Sequence, residues 1–252
     1  VALAVAAIPE GLAAVITACL ALGTQKMARK NAIVRHLPSV ETLGSTSVIC
    51  SDKTGTLTTN EMSVANMYLV GEAADYEVTG TSFAPDGAIL RNGRTMTSLN
   101  QPGSAIHALA QTCAVCNDAK VIVDAHGRHK ALGQATEAAL QVLVEKIGFH
   151  DAIQQAHLPD LLPALRAGAV CEMYTSSLPR LSTMDFTRDR KMMSTFVRRT
   201  EHDARLLVKG AAESVLLRSS HVFLNDSEQR PLTDDMRAAL HEKINTYANA
   251  GL

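Results

Sequence analysis

Ser47-Val48-Ile49-Cys50-Ser51-Asp52-Lys53-Thr54-Gly55-Thr56-Leu57-Thr58 joins a short apolar, β-prone run to a turn made of an aspartate, hydroxyl residues and a glycine. The pattern predicts a strand over residues 47–50 that leads to Asp52, and α/β sheets bind their ligands at the carboxyl ends of strands. A carboxylate so placed can attack a γ-phosphoryl group to give an acyl phosphate, which divides one difficult transfer into two easier steps. That chemistry needs magnesium to offset charge on the transferring oxygens, and small residues that let backbone groups approach phosphate. Thr54, Gly55, Thr56 and Thr58 are residues of that kind. No GxxxxGK[ST] loop occurs, which excludes a P-loop as the source of the chemistry.

Upstream, residues 1–23 hold one charged side chain, Glu10, among Val, Ala, Leu and Ile. A helix of that length covers about 30 Å of hydrocarbon, so residues 1–25 are a transmembrane candidate. Lys26, Arg29, Lys30 and Arg35 follow directly, and a basic flank of this kind faces the cytoplasm. A carboxylate at membrane depth is costly and persists mostly on an ion or proton path. Pro9 stands beside Glu10 and frees carbonyls near Val5 and Ala6, which are hard oxygen ligands of the type calcium requires. A proline kink with Glu10 turned to polar neighbours accounts for the same spacing equally well. The run opens at Val1 inside apolar sequence, which reads as a piece of a longer polypeptide.

Downstream the texture changes. Tyr76-Glu77-Val78, Lys120-Val121-Ile122-Val123, Ser194-Thr195-Phe196-Val197 and Arg205-Leu206-Leu207-Val208 read as strands, with helices at about 104–117, 135–147 and 233–248. That mixture fits an α+β domain better than a regular βαβ array. The whole chain is 46% hydrophobic and 19% charged with net charge −1, which excludes a disordered chain, a collagen-like repeat and a disulfide scaffold. With 24 basic against 25 acidic residues, nothing suggests a nucleic-acid partner. Five scattered cysteines argue for reduced thiols. Cys113 and Cys116 form a CxxC, with His126 and His129 beyond, but the sequence around the pair reads as a helix, not a zinc ribbon. Asn225-Asp226-Ser227 matches a glycosylation sequon and is expected to stay bare on the cytosolic side.

The segment 49–58 closely resembles the phosphorylation motif of P-type ion-transporting ATPases. Val5-Ala6-Ala7-Ile8-Pro9-Glu10-Gly11-Leu12 is similar to the fourth membrane helix of the calcium-pumping branch, in particular the sarco/endoplasmic reticulum type. Asn31-Ala32-Ile33-Val34-Arg35 and Leu37-Pro38-Ser39-Val40-Glu41-Thr42-Leu43-Gly44 continue the likeness. Three later stretches resemble the family's nucleotide-binding domain: Ala135-Thr136-Glu137-Ala138-Ala139-Leu140, Asp185-Phe186-Thr187-Arg188-Asp189-Arg190-Lys191, and Val208-Lys209-Gly210-Ala211-Ala212-Glu213.

The resemblance implies an α/β membrane-protein fragment. Its parts are a transmembrane helix at 1–25, a cytoplasmic stalk at 26–46, the start of a haloacid-dehalogenase-like Rossmann phosphorylation domain at 47–60, and an α+β nucleotide-binding domain with antiparallel sheet at 61–252. It implies that Asp52 is the nucleophile and that magnesium sits on Asp52 and the Thr54 carbonyl. ATP is expected at Glu137, Phe186, Arg188, Lys191 and Lys209, with Phe186 stacking on adenine and Arg188 and Lys191 toward the phosphates. Calcium is expected at the carbonyls of Val5, Ala6 and Ile8 and at Glu10. The implied activity is ATP-driven calcium transport through an aspartyl phosphate, in the endoplasmic or sarcoplasmic reticulum membrane. Its partners are lipid and the remainder of the same pump, and residues after about 25 lie in the cytosol. A pump for another cation, or a soluble phosphatase of the haloacid dehalogenase type, is the alternative. Three departures from the family pattern stand out: Ala13 and Ala212 where prolines are usual, and Gln134 where an acidic residue is common.

Overall fold

The computed structural model describes residues 11–97, 99–201 and 203–251, which fall into two compact units, Val1–Thr59 and Asn60–Leu252. The first unit carries α1 (Leu12–Ala28) and α2 (Pro38–Gly44). Helix α1 runs past the expected boundary at residue 25, with Lys26 in its last turn, where a cation complements the helix dipole. Asn31 then takes a left-handed conformation, and the chain closes with the Ala32 amide donating to the Met27 carbonyl at 3.0 Å. Pro38 opens α2 at a position where its missing N–H costs nothing. Neither helix buries a residue. The 17 described residues of α1 cover about 25 Å along its axis. Among the described residues no helix is long and apolar enough to cross a membrane.

The strand expected over residues 47–50 does not form. A strand exists through hydrogen bonds to a neighbour, and this segment pairs with none among the described residues; Val48 and Ile49 are 72% and 74% exposed. The turn after Asp52 does form, as a wide helical turn over Lys53–Leu57. Asp52 caps it, its carboxylate accepting the Lys53 amide at 2.7 Å. Gly55 sits at φ +73°, where a larger residue is strained.

The second unit opens with an antiparallel meander, β1 (Asn66–Leu69), β2 (Ala74–Val78), β3 (Ile89–Arg91) and β4 (Arg94–Thr95). Then come α3 (Ala105–Val115), the hairpin β5 (Lys120–Val123) and β6 (His129–Leu132), and α4 (Ala135–Ile147). Short helices α5 (Ala152–His157) and α6 (Pro163–Arg166) lead to α7 (Ala169–Ser177) and the antiparallel sheet β7 (Arg180–Met184), β8 (Met192–Arg198), β9 (Ala204–Gly210). Helix α8 (Ala212–Arg218), the hairpin β10 (His221–Asn225) and β11 (Glu228–Pro231), and α9 (Asp234–Asn249) complete it. The expected strands at 76–78, 120–123, 194–197 and 205–208 and the three expected helices are all present.

Helix α4 is the hub because it is apolar on two sides. Leu143, Val144 and Ile147 join the main core with Ile106, Ala110, Val115, Val170, Tyr174 and Val197. Ala138 and Val142 face a second core with Phe83, Ala119 and Val121 of β5. Ala110 and Ala114, both fully buried, keep α3 slender enough to pack closely. Glu145, only 6% exposed, accepts the Val170 and Cys171 amides at 3.1 and 2.9 Å and so caps α7 with a carboxylate from another helix. The buried Asn100 donates to the Gly148 carbonyl and accepts from the Tyr174 hydroxyl at 2.9 Å. This bond ties α7 to the end of α4.

Cys113 and Cys116 lie in and at the end of α3 as small apolar residues, Cys116 fully buried. Burial pushes the Cys113 thiol up to about 12. The sequon residues form the tight turn between β10 and β11, where the Ser227 amide donates to Asn225 Oδ1 at 2.9 Å.

Candidate nucleotide-binding site

The register of β8 against β9 sets Met193 opposite Lys209, and both face the first turn of α4. Between them and the turn after β7 lies a cavity of about 700 Å³. Its walls include Thr136, Glu137 and Leu140 from α4, Asp185 and Phe186, Met193, Lys209 and Gly210. Three of the expected residues, Glu137, Phe186 and Lys209, are therefore together.

Each is held for a local reason. The Phe186 ring is 56% exposed, so it is not a core residue. Its turn is pinned by Arg190, which donates to Ser194 Oγ at 2.7 Å and to the Asp185 carbonyl at 3.5 Å. The turn ends at Lys191, at φ +53°, whose carbonyl accepts the Ala211 amide at 2.9 Å. That close approach requires Gly210, since a Cβ there would stand 2.4 Å from the Lys191 oxygen. Glycine at 210 thus holds the Phe186 turn against β9.

Glu137 lies in the first turn of α4, where the helix dipole favours a carboxylate. Its Oε1 pairs with Lys209 Nζ at 2.5 Å, and the two side chains are 15% and 19% exposed. The Asp118 amide approaches Glu137 Oε2 at 3.4 Å. Asn117, 2% exposed, donates to the Glu137 and Cys113 carbonyls at 2.8 and 3.0 Å and accepts the Ala119 amide at 3.0 Å, so both amide hydrogens and the amide oxygen are engaged. Arg180 binds the Asp118 carboxylate at 2.7 Å and also donates to the Asn117 carbonyl. Gln134, the N-cap of α4, makes no side-chain cap bond, although an acidic residue would serve there.

Arg188 and Lys191 are exposed on the 185–191 turn and do not line the cavity. Asp52 and Thr54 belong to the other unit, and Val5, Ala6, Ile8 and Glu10 lie outside the described residues. Asn117, Asp118, Arg180 and Arg190 were not singled out from the sequence. Asn117 and Asp118 carry the polar turn chemistry that follows a helix, but their partners are remote in sequence. Among the described residues no group of three or more His, Cys, Asp and Glu stands together to hold a metal ion. An exposed ring with Leu140 and Met193 nearby can hold a flat base, and the Glu137–Lys209 pair offers it an acceptor and a cation.

The sequence profile of the P-type ATPase cytoplasmic domain N matches residues 105–252, the stretch that builds this cavity. The chain belongs to the P-type ATPases. It is 49% identical over its full length to an endoplasmic reticulum calcium ATPase of Aspergillus fumigatus, covering 26% of that protein. It is also 45% identical to an endoplasmic reticulum-type calcium-transporting ATPase of Arabidopsis thaliana, and 41% identical to another of the same plant, each over its full length. It covers 24% and 26% of those two proteins, so the chain spans about a quarter of the relatives it matches. Residues 105–252, which carry the antiparallel sheet β7–β9 and its flanking helices, are the part of the chain that matches cytoplasmic domain N of the P-type ATPases.

Proposed function

We propose that this chain is the part of an endoplasmic reticulum-type calcium pump that holds ATP and carries the aspartate to be phosphorylated. The observation that carries the reading is the meeting of Phe186, Glu137 and Lys209 in one cavity. The named activity of the relatives and the intact motif around Asp52 support it.

Phe186 offers its open face to adenine, and Leu140 and Met193 supply apolar walls. Glu137 accepts from the base edge while Lys209 keeps the carboxylate neutralised. Arg188 and Lys191, exposed on the same turn as Phe186, are the cations for the triphosphate. Asp52 then attacks the γ-phosphorus: a bond forms from its carboxylate oxygen, the bond to the β–γ bridging oxygen breaks, and ADP leaves.

Asp52 and the Thr54 carbonyl suit magnesium, because they are hard oxygens and the exposed Asp52 carboxylate accepts one hydrogen bond, from Lys53. Magnesium bound there would offset negative charge on the transferring oxygens. Residues 1–25 serve as the membrane helix, with Val5, Ala6, Ile8 and Glu10 as part of the calcium path and Lys26, Arg29 and Lys30 at the cytosolic surface. Lipid and the rest of the pump polypeptide are the partners.

The test is phosphoenzyme formation from γ-labelled ATP in membranes carrying the full-length protein, with calcium, manganese or sodium supplied separately. Label that needs calcium, weakens with Glu10→Gln and vanishes with Asp52→Asn is expected. Label surviving Asp52→Asn would end the proposal, and label driven by another ion would move it to a different pump.

A further inference from the structure

The turn after α3 grips Glu137 at both ends. Asn117 Nδ2 donates to the Glu137 carbonyl at 2.8 Å, and the amide of the next residue, Asp118, approaches Glu137 Oε2 at 3.4 Å. Lys209 takes the other carboxylate oxygen, Oε1. The main chain and the side chain of Glu137 are thus both tied to adjacent residues, 20 and 19 positions away. A glutamate on a helix turns about several bonds, and one ion pair by itself leaves it a choice of rotamers. The 117–118 turn narrows that choice.

Asn117 serves as an anchor because it is itself fixed. It is 2% exposed, its second amide hydrogen goes to the Cys113 carbonyl in α3, and its oxygen accepts the Ala119 amide ahead of β5. Its own carbonyl accepts from Arg180, which also binds the Asp118 carboxylate at 2.7 Å. Arg180 opens β7, the strand that runs into Asp185 and Phe186. A short polar chain from Arg180 through Asn117 and Asp118 to Glu137 therefore joins the strand behind the aromatic ring to the carboxylate in the same cavity. Capping the end of α3 accounts for the bond to Cys113. It does not account for the bond to the Glu137 carbonyl, nor for the Asp118 amide beside Oε2.

We infer that Asn117, backed by Arg180, is a positioning residue that holds Glu137 against the base and so sets which base the cavity prefers, a role that rests on the reading of this cavity as an ATP site. A carboxylate accepts and does not donate. Adenine presents an amino group where hypoxanthine, of the same ring shape, presents a carbonyl oxygen. A carboxylate held in one place bonds the first and repels the second. A carboxylate free to swing loses the bond and escapes the repulsion, so the two bases become alike.

The test is a calorimetric titration of the full chain with ATP and with inosine triphosphate. The native chain is expected to bind ATP about tenfold or more tightly than inosine triphosphate. Asn117→Asp keeps the acceptor for Ala119 and removes both donors, and is expected to bring the preference to about twofold or less by weakening ATP and sparing inosine triphosphate. Arg180→Gln, at a partly exposed side chain, shifts the ratio in the same direction by less, and it alone decides where Asn117→Asp does not fold. In a chain that already carries Glu137→Gln, adding Asn117→Asp leaves the ratio where it stands. A native chain indifferent to the base, a loss shared equally by both nucleotides, a preference untouched by the variants, or a further change on top of Glu137→Gln would overturn the positioning role and leave ATP at Phe186 standing. ATP binding that is absent or ignores Phe186→Ala would overturn the underlying site, and the positioning role with it.

Discussion

Lys209 Nζ lies 2.5 Å from Glu137 Oε1 across 72 positions of sequence, and this pair closes one wall of the cavity beside Phe186. Both side chains are less than a fifth exposed, so each relies on the other for charge compensation. Removing one partner leaves an uncompensated charge in a partly dry site. Lys209→Met alone and Glu137→Gln alone are each expected to lower stability by about 1–3 kcal/mol in urea denaturation. The double variant is expected to lose less than the sum of the two. Simple additivity would show that the pair is not coupled.

Glu145 predicts a pH dependence. Burial is the largest influence on its carboxyl and raises its pKa above the ordinary 4.5, against the lowering effect of the Cys171 and Val170 amides. A carboxyl with a raised folded pKa adds stability while it is protonated in both states, and that stability is lost as pH rises through the folded value. The unfolding free energy of the native chain minus that of Glu145→Gln is therefore expected to fall from pH 4.5 upward and then level off. A flat or rising difference in chemical denaturation at stepped pH would contradict this.

Ala212, the departure from the family's proline, occupies the first position of α8. Ala211 before it already has φ −59° and ψ 133°, the extended conformation that a following proline demands. Ala212→Pro is expected to raise stability by about 0.4–1 kcal/mol, read as an increase in Tm, because the backbone is already suited to it. A lower Tm would show that the amide of residue 212 has a role.

The thiols divide by burial. Cys113 is pushed up to about 12 by burial, Cys171 is raised by burial and by Glu145, and Cys116 is fully enclosed, whereas Cys50 is exposed beside Asp52. Reactivity follows the accessible thiolate. Brief alkylation of the native chain at neutral pH is expected to label Cys50 and leave Cys113, Cys116 and Cys171 intact by mass spectrometry. Prompt labelling of Cys113 would contradict the packing of α3.

The sequence was most legible where structure is local. Helix α4 and strand β5 span the residues expected of them, 135–147 and 120–123, because each pattern is complete within its own segment. The strand over residues 47–50 failed for the opposite reason, since strand pairing depends on a neighbour that the described chain does not offer. In the site, Glu137, Phe186 and Lys209 were legible through motifs. Asn117 was not, because its value comes from a bond to the Glu137 carbonyl 20 positions away. Arg190 was hidden within a charged turn, where composition does not tell a pinning arginine from a solvated one.

The most direct test of the central claim is a calorimetric titration of the full chain with ATP, repeated with Phe186→Ala. The account predicts saturable binding that weakens about tenfold or more when the ring is removed, since stacking on a base contributes about 1–3 kcal/mol. Binding that is absent, or that Phe186→Ala leaves unchanged, would contradict a nucleotide site built on Phe186, Glu137 and Lys209.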